Sequence, residues 1–238
     1  MVCPRGAGLI LKRREFLDGV ADLAPVLVAV VPIGLLWGTL ASAKGLTLLE
    51  AVLMSALVFA GAAQFVAVEM WHDPAPVLLL VFAALIVNAR HVLMSASVSR
   101  HLEKIPRGLH PLVAYLLVDE SWALTERRAL KRPVTLAYYL GVTLPMAVSW
   151  YVSTGVGAVL GRSLGDPAAI GLDFAFSALF VSILMGFWKG RRTAGVLAAS
   201  GGVAAATYLA IDGPWYIMAG GLAGALAAAL SYDGVDRT

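Results

Sequence analysis

Long apolar runs alternate with short polar turns from residue 16 to residue 232. A helix that crosses a hydrocarbon core of about 30 Å needs about 20 mainly apolar residues. Most of the runs reach that length, so the pattern predicts an all-α, polytopic integral membrane helix bundle. We expect about eight transmembrane helices, which occupy residues 16–43, 47–70, 74–99, 111–125, 136–160, 170–188, 193–211 and 215–232.

The polar segments are too short to hold a soluble domain. We expect residues 1–15 to form a cytoplasmic N-terminal tail, residues 16–232 a single transmembrane domain and residues 233–238 a C-terminal tail. The segment 111–125 differs from the other spans because it is short and carries two acidic residues near its middle. It fits either a tilted span or a re-entrant segment.

Composition and charge support a membrane protein. Hydrophobic residues make up 60% of the chain and charged residues 14%, whereas soluble domains carry about 25% charged residues. The net charge is +3, but Lys and Arg collect at span ends, and with the N-terminus inside most of them fall on the cytoplasmic side. This distribution follows the positive-inside rule. It predicts a multi-pass inner (plasma) membrane protein with both termini cytoplasmic and no nucleic-acid partner.

Common catalytic motifs are missing from the sequence. There is no G-x-x-x-x-G-K-[ST] phosphate loop, no G-x-S-x-G nucleophile elbow and no H-E-x-x-H zinc pair. We therefore expect neither an enzyme nor a bound cofactor or metal. Any energy for transport would come from an ion gradient or from a partner subunit.

A polar cluster interrupts the third apolar run at Asn88, Arg90 and His91. A permanent cation costs about 2.5 kcal/mol or more at bilayer depth, so Arg90 needs a protein or water partner. At helical spacing, Asn88 and His91 share one face with two downstream serines. Lipid is a poor neighbour for such a face, so we expect it to point to the bundle interior or to an aqueous path.

Two interpretations of this cluster remain open. Asn88 and the serines either bond neighbouring helices or line a solute path. Arg90 either binds substrate or is merely neutralised by Asp119 or Glu120. Histidine side chains in general titrate near neutral pH, so His91 together with one of these carboxylates is a candidate for relaying a coupling proton.

Four short segments are distinctive in combination. They are FAGAAQF at residues 59–65, NARHVLM at 88–94, DESWAL at 119–124 and LDFA at 172–175. Together they resemble the AzlC family of branched-chain amino-acid permeases. The resemblance implies the large subunit of a two-component exporter of valine, leucine and isoleucine, with methionine as a further candidate. It also implies a small AzlD-type membrane subunit as the partner.

A zwitterionic amino acid would fit the available chemistry. Its carboxylate would meet Arg90, or the free amides of a helix broken near Gly61. Its ammonium would meet an amide or a carboxylate, and its side chain an aromatic pocket, although the same rings also fit ordinary core packing. The candidate substrate-binding residues are Phe59, Gly61, Gln64, Asn88, Arg90 and Phe174. The candidate proton-coupling residues are His91, Asp119, Glu120 and Asp173.

Residues 57–65 are similar in sequence to residues 172–180. This similarity indicates either a duplication, with spans one to four repeated as spans five to eight, or chance similarity in an alanine-rich chain. A crossing fourth span would make the repeats parallel, and a non-crossing one would make them inverted. Small-xxx-small pairs, which usually allow tight helix packing, occur at Gly157/Gly161 and Gly220/Gly224.

Two other functions fit the same residues. One is a membrane scaffold or receptor subunit without transport activity of its own, whose polar interior only bonds a partner. The other is an importer of small neutral amino acids.

Overall fold

The computed structural model describes residues 5–101, 105–163, 190–211 and 215–231, together with the single positions 174, 181, 185 and 188. These residues form helices joined by turns, and no strand occurs among them. The predicted all-α fold is therefore confirmed. In chain order the helices are α1 (Arg5–Ala43), α2 (Leu48–Val58), α3 (Gly61–Glu69), α4 (Val77–Asn88), α5 (Arg90–Ser99), α6 (His110–Tyr115), α7 (Asp119–Ala129), α8 (Leu136–Ser163), α9 (Arg191–Ala210) and α10 (Trp215–Leu230).

Among the described residues, four helical stretches are long and apolar enough to cross a membrane. They are Lys12–Ala43, Val77–Ser99, Leu136–Ser163 and Arg191–Ala210. The shorter apolar helices α2 and α10 do not reach that length. The predicted count of eight spans is not confirmed, and most of the predicted span 170–188 lies outside the described residues.

The chain divides into two compact units. The first comprises Met1–His72 and Val87–Leu172, and the second comprises Asp73–Ile86 and Asp173–Thr238. The expectation of a single transmembrane domain stays a prediction.

The core of the first unit is a close pair of parallel helices, α1 and α8. A Cβ placed on Gly141 would lie 2.1 Å from the carbonyl oxygen of Phe16, and one placed on Gly157 would lie 2.1 Å from that of Leu35. Early residues of α1 thus face early residues of α8, so the two helices run in the same direction. Their backbones touch because glycine has no side chain to separate them. The tight packing predicted for Gly157 and Gly161 is confirmed.

The segment 47–70 folds back on itself and does not form one continuous helix. The Gln64 side-chain amide donates to Ser55 Oγ at 3.0 Å, although these residues would be about 13 Å apart along a straight helix. The Lys44 ammonium, just after α1, donates to the carbonyl of Glu69 at 3.2 Å. We call the pair α2–α3 the first hairpin. It enters and leaves at the end of the unit where α1 ends, which corrects the expectation of a crossing span.

Local chemistry explains where the first hairpin starts and turns. Thr47 and Glu50 form a capping box that begins α2, in which each side chain bonds the other residue's backbone N–H. Phe59 then ends α2 with φ at 36°, a left-handed conformation that a helix cannot continue through. The small residues around Gly61 allow either close backbone approach or a helix break, and the structure has the break, at Phe59–Ala60.

The segment 110–129 also folds back, as its contacts with successive positions along α8 show. Tyr139, in the first turn of α8, donates to the carbonyl of Val113 at 2.8 Å. Tyr115 then reaches Tyr151, near the middle of α8, with 2.5 Å between the hydroxyls. The chain afterwards returns to the first turn of α8, since α7 residue Arg128 lies over the ring of Tyr138 at 4.6 Å.

We call the pair α6–α7 the second hairpin. It enters and leaves where α8 begins, which is the end opposite the one used by the first hairpin. Of the two alternatives for residues 111–125, the re-entrant segment agrees with these contacts and the tilted span does not. The physical reason is length, since α6 and α7 are each too short to cross about 30 Å.

The second unit is built on the pair α9–α10. A Cβ on Gly220 would meet Ala204 Cβ at 2.8 Å, and Ser200 Oγ donates to the Gly220 carbonyl at 2.9 Å. The tight packing predicted for Gly220 and Gly224 is thereby confirmed. Beside this pair, residues along most of α4 and at the start of α10 line an apolar cavity of about 350 Å³, whose walls include Phe82, Ile86 and Trp215.

Candidate functional site

An ion pair joins the first residues of two helices. Arg90 Nη2 lies 2.9 Å from Asp119 Oδ2. Arg90 begins α5 directly after the interruption at Ala89, and Asp119 begins α7 directly after the turn of the second hairpin. The structure therefore brings together two of the predicted site residues. Arg90 follows a one-residue irregularity at Ala89, which keeps helical backbone angles within the stretch Val77–Ser99, and Asp119 follows the turn between α6 and α7.

A second polar contact repeats this pairing seven residues further along both helices. Ser97 Oγ donates to Glu126 Oε1, and His101 Nε2 lies 3.1 Å from Glu126 Oε2. Because Arg90 pairs with Asp119 and Ser97 with Glu126, α5 and α7 run parallel and in register. The two contacts fix the start and the end of the same helix pair.

The Arg90–Asp119 pair lies towards the inner end of the second hairpin. Tyr115, four residues before Asp119, reaches the middle of α8. The side chains of Arg90 and Asp119 are nevertheless 40% and 48% exposed. A charged pair at this depth is poorly tolerated by hydrocarbon, so its exposed side is expected to face water or protein rather than lipid.

Arg90 has hydrogen-bonding capacity left over. The ion pair uses Nη2, whereas Nε is buried and has no hydrogen-bond partner among the described residues. Two residues earlier, Asn88 Oδ1 is likewise buried without a partner in the described part of the chain. Buried polar atoms are normally satisfied. Such atoms need a water molecule or a polar ligand, and the described residues contain four more of them, including Nε of Arg128.

His91 has a local role in the structure. Its Nδ1 lies 3.2 Å from the backbone carbonyl of Asn88, a carbonyl that the interruption at Ala89 leaves free at the end of α4. With the proton on Nδ1 the imidazole satisfies that carbonyl. Within the described part of the chain His91 forms no hydrogen bond or ion pair with Asp119 or Glu120, so the proton relay through these three residues stays a prediction.

Gln64 lies in a closed polar cluster between the first hairpin and α8. Its side chain is fully buried, accepts a hydrogen bond from Trp150 Nε1 at 3.0 Å and donates to Ser55 Oγ. Ser55 Oγ in turn lies 2.9 Å from Thr154 Oγ1. A Cβ on Gly61 would meet the same Trp150 ring at 3.3 Å. These contacts favour a packing role for both residues, and substrate binding by them stays a prediction.

The turns of the two hairpins meet in an aromatic cluster. Phe59 is 5% exposed, and its ring centroid lies 5.7 Å from that of Tyr115 and 5.6 Å from that of Tyr151. The Tyr115 hydroxyl donates to the carbonyl of Ala56, one of the free carbonyls in the last turn of α2. The tip of one hairpin thus caps the tip of the other.

The comparisons with known proteins agree with the motifs. The family model described as AzlC protein matches residues 25–164, which is more than half of the chain and includes both hairpins and the Arg90–Asp119 pair.

The chain belongs to the AzlC family.

Individual relatives extend the match to most of the chain. It is 30% identical to the inner membrane protein YgaZ of Escherichia coli over 90% of this chain and 89% of that one. It is 29% identical to an uncharacterized membrane protein of Archaeoglobus fulgidus over 90% and 94%. It is 26% identical to the branched-chain amino acid transport protein AzlC of Bacillus subtilis over 71% and 66%. No solved structure matches.

The other predicted site residues of this AzlC family member lie away from the ion pair or outside the described residues. Glu120 follows Asp119 in the first turn of α7 and is half-buried. Phe174 belongs to the second unit and is 68% exposed. Asp173 lies outside the described residues. Among the described residues no group of three or more His, Cys, Asp or Glu side chains has the arrangement of a metal site.

Sequence reasoning missed the aromatic residues that surround the break region. Tyr115, Trp150 and Tyr151 all contact the first hairpin, yet each lies in an apolar run where a ring usually means core packing. The useful signal was the polar atom of each ring, since a hydroxyl or indole N–H inside a membrane span needs a partner.

It also missed the charged network at the base of the second hairpin. Arg128 is paired with Glu15 at 2.8 Å and with Asp18 at 3.5 Å, and Arg127 is paired with Asp22 at 3.3 Å. These pairs tie the end of α7 to the start of α1. Acidic residues in the first turns of a membrane span, with an Arg-Arg pair elsewhere in the chain, were the available signal.

Proposed function

We propose that this protein is the large subunit of a two-component secondary transporter that exports branched-chain amino acids. Valine, leucine and isoleucine are the expected substrates, and methionine is a further candidate. The observation that carries the proposal is the Arg90–Asp119 ion pair, which is partly exposed and joins the middle of the stretch Val77–Ser99 to the first residue of α7, directly after the turn of the second hairpin. Interrupted helices with charged groups at the break are a common way to build a midplane transport site.

The family adds the substrate class. The relative from Bacillus subtilis is named a branched-chain amino acid transport protein. The same substrate class suits this chain, because a zwitterion needs one cation and one anion close together, and Arg90 and Asp119 provide them.

The arrangement of the hairpins also supports an assignment of the two ends of the first unit to the two sides of the membrane. α7 ends at the start of α1, and α5 runs parallel to α7, so the ends of α5 and α7 and the beginnings of α1 and α8 lie at one end of the first unit. We place this end in the cytoplasm. Among the described residues of this unit, that end carries the Lys and Arg residues Arg5, Lys12, Arg13, Arg14, Arg100, Arg107, Arg127, Arg128, Lys131 and Arg132.

The opposite end of the first unit carries few cations. Its described basic residues are Lys44 and Arg162. The imbalance follows the positive-inside rule. The N-terminus is therefore proposed to be cytoplasmic, with the first hairpin entering from outside and the second from the cytoplasm. The C-terminus is proposed to be cytoplasmic as well.

We further propose a proton as the coupling ion and a small AzlD-type membrane protein as the partner subunit. Carboxylates at the break, Asp119 and Glu120, are the groups that would take up a proton. Neither the coupling nor the partner changes the location proposed for substrate binding.

The experiment is efflux of labelled valine from proteoliposomes that hold this chain with and without its small partner, under an imposed pH gradient. Gradient-dependent valine movement that requires this chain supports the proposal. A folded, correctly assembled complex that moves no valine in either direction contradicts it and favours a scaffold or receptor role. Gradient-driven uptake in place of efflux contradicts only the direction.

A further inference from the structure

The site between α5 and α7 contains a resident ion pair in the place where a charged substrate group would sit. Asp119 is bound to Arg90 through Nη2 alone. The neighbouring Nε of the same guanidinium is buried and unpaired in the described part of the chain. A carboxylate that approaches Arg90 from the side bonds Nε and Nη2 together, which is the stronger bidentate geometry. Asp119 therefore occupies half of the position that a bidentate carboxylate would take on Nε and Nη2 of Arg90. We call this position the carboxylate seat.

We infer that a zwitterionic amino acid inserts into the Arg90–Asp119 pair. Its carboxylate takes Nε and Nη2 of Arg90, and its ammonium takes the carboxylate of Asp119 that has been displaced. This inference rests on the proposed function, because it names how that substrate class is held. It gives Asp119 the role of ammonium ligand and places the seat at this pair rather than at Gln64, whose side chain is enclosed and hydrogen-bonded.

Charge balance explains why this seat selects a zwitterion. One internal ion pair is replaced by two new pairs, and no charge is left alone. A carboxylate without an ammonium group would bind Arg90 and leave Asp119 unpaired. An amine without a carboxylate would bind Asp119 and leave Arg90 unpaired. An unpaired charge at this depth is costly. The pair therefore excludes singly charged molecules of the same shape.

The contact seven residues along the same helices provides a matched control. Glu126 is also a carboxylate on α7 held by groups from α5 and its end, namely Ser97 and His101. The charge of Arg100 also acts on Glu126, but among the described residues no guanidinium forms an ion pair with it. Removing the charge of Glu126 tests the effect of losing a carboxylate between α5 and α7 without touching the seat.

The experiment measures binding of labelled valine to the purified chain, with its small partner where assembly requires it, and competition by two analogues. One is 3-methylbutanoate, which keeps the branched chain and the carboxylate, and the other is isobutylamine, which keeps the ammonium. For the unsubstituted protein both analogues should compete at least about tenfold more weakly than valine.

Substitution of each partner should then remove one half of the preference. Asp119→Asn should lower the affinity for valine at least about tenfold. In this variant 3-methylbutanoate should bind as tightly as valine. Arg90→Gln should likewise lower the affinity for valine, and in this variant isobutylamine should bind as tightly as valine. Glu126→Gln should leave the ranking unchanged. The double variant, Arg90→Gln with Asp119→Asn, has no unpaired charge, so it should fold even if a single variant does not, and it should bind valine no better than either analogue.

The failures of the two proposals are distinguishable. If the unsubstituted protein binds and transports valine while Asp119→Asn or the double variant keeps the preference for valine over both analogues, the insertion is refuted and the transport function stands. If the folded, unsubstituted protein binds no valine, both proposals are refuted.

Discussion

Tyr115 donates its hydroxyl hydrogen to the carbonyl oxygen of Ala56, and this single bond joins the tips of two hairpins that enter the first unit from opposite ends. The carbonyl lies in the last turn of α2, where it has no partner within the helix. Tyr151 donates to the same Tyr115 oxygen, with 2.5 Å between the hydroxyls, and so connects both tips to the middle of α8. A side chain of the second hairpin thus satisfies a backbone carbonyl at the tip of the first.

Tyr115→Phe should destabilise the protein. The substitution leaves the ring in place but removes the donor to Ala56, so a carbonyl at the hairpin tip loses its partner. We expect the free energy of unfolding to fall by about 1 to 3 kcal/mol, measured as a lower thermal midpoint in detergent. Tyr208→Phe is the control, because Tyr208 is 67% exposed and contacts Tyr216 through its ring. An equal loss in both variants would contradict the role of the hydroxyl.

The hairpin topology can be tested by labelling engineered cysteines from one side of the membrane. Cys3 is the single natural cysteine, so Cys3→Ala gives a suitable background. A membrane-impermeant maleimide should reach Lys44→Cys and Glu69→Cys from the same, outer side, since Lys44 contacts the carbonyl of Glu69. Labelling of the two cysteines from opposite sides would show that residues 47–70 cross the membrane.

The second hairpin gives the complementary labelling result. Arg13→Cys and Leu130→Cys should both react only from the cytoplasmic side, because α7 ends beside the start of α1. Leu130 is 87% exposed, so access is not limited by packing. Labelling of Leu130→Cys from the outer side would contradict the second hairpin and show that residues 111–125 cross the membrane.

Gly157→Ala should disrupt the α1–α8 pair. Its new methyl group would lie 2.1 Å from the carbonyl oxygen of Leu35, and backbone cannot move aside as a flexible side chain can. Overpacking of this kind costs about 1 to 3 kcal/mol or more, so the yield of folded protein and its thermal midpoint should fall. Gly155→Ala, whose Cβ would first meet Val52 at 3.6 Å, should be neutral. Equal behaviour of the two variants would contradict close backbone contact.

Gln64→Met should separate a packing role from a binding role. The change leaves the indole N–H of Trp150 buried without its acceptor, which costs about 1 to 3 kcal/mol. We expect a lower thermal midpoint and, for the protein that remains folded, valine affinity within about twofold of the unsubstituted chain. A variant of unchanged stability that no longer binds valine would assign Gln64 to the substrate site.

The proposed duplication remains a prediction, although one observation bears on its form. α1 and α8 would be the first helices of the two repeats, and they run in the same direction. Sequence reasoning tied a non-crossing fourth span to inverted repeats. That link assumed a crossing second span, and with both segments folded back the direction of the chain is restored, as parallel repeats require.

Much of the site was accessible from the sequence because charge inside an apolar run is conspicuous. Arg90 and Asp119 were singled out for this reason, and the structure pairs them at 2.9 Å. The choice between Asp119 and Glu120 as the partner of Arg90 was not accessible, since neighbouring residues on a helix point in different directions and only the placement of α7 beside α5 selects one. For Gln64 the type of residue suggested a ligand, but its contacts with Trp150 and Ser55 depend on how the first hairpin folds back.

The sequence by itself determined that this is an all-helical membrane protein of the AzlC family, because hydrophobicity over helix length and a few polar motifs are local properties. Near Gly61 it allowed a helix break or close backbone approach, because small residues permit both. Only the tertiary structure decided that residues 47–70 and 110–129 turn back. Hydropathy measures how apolar a segment is and not its direction, and the direction is set by contacts such as Lys44 with Glu69 and Tyr115 with Ala56.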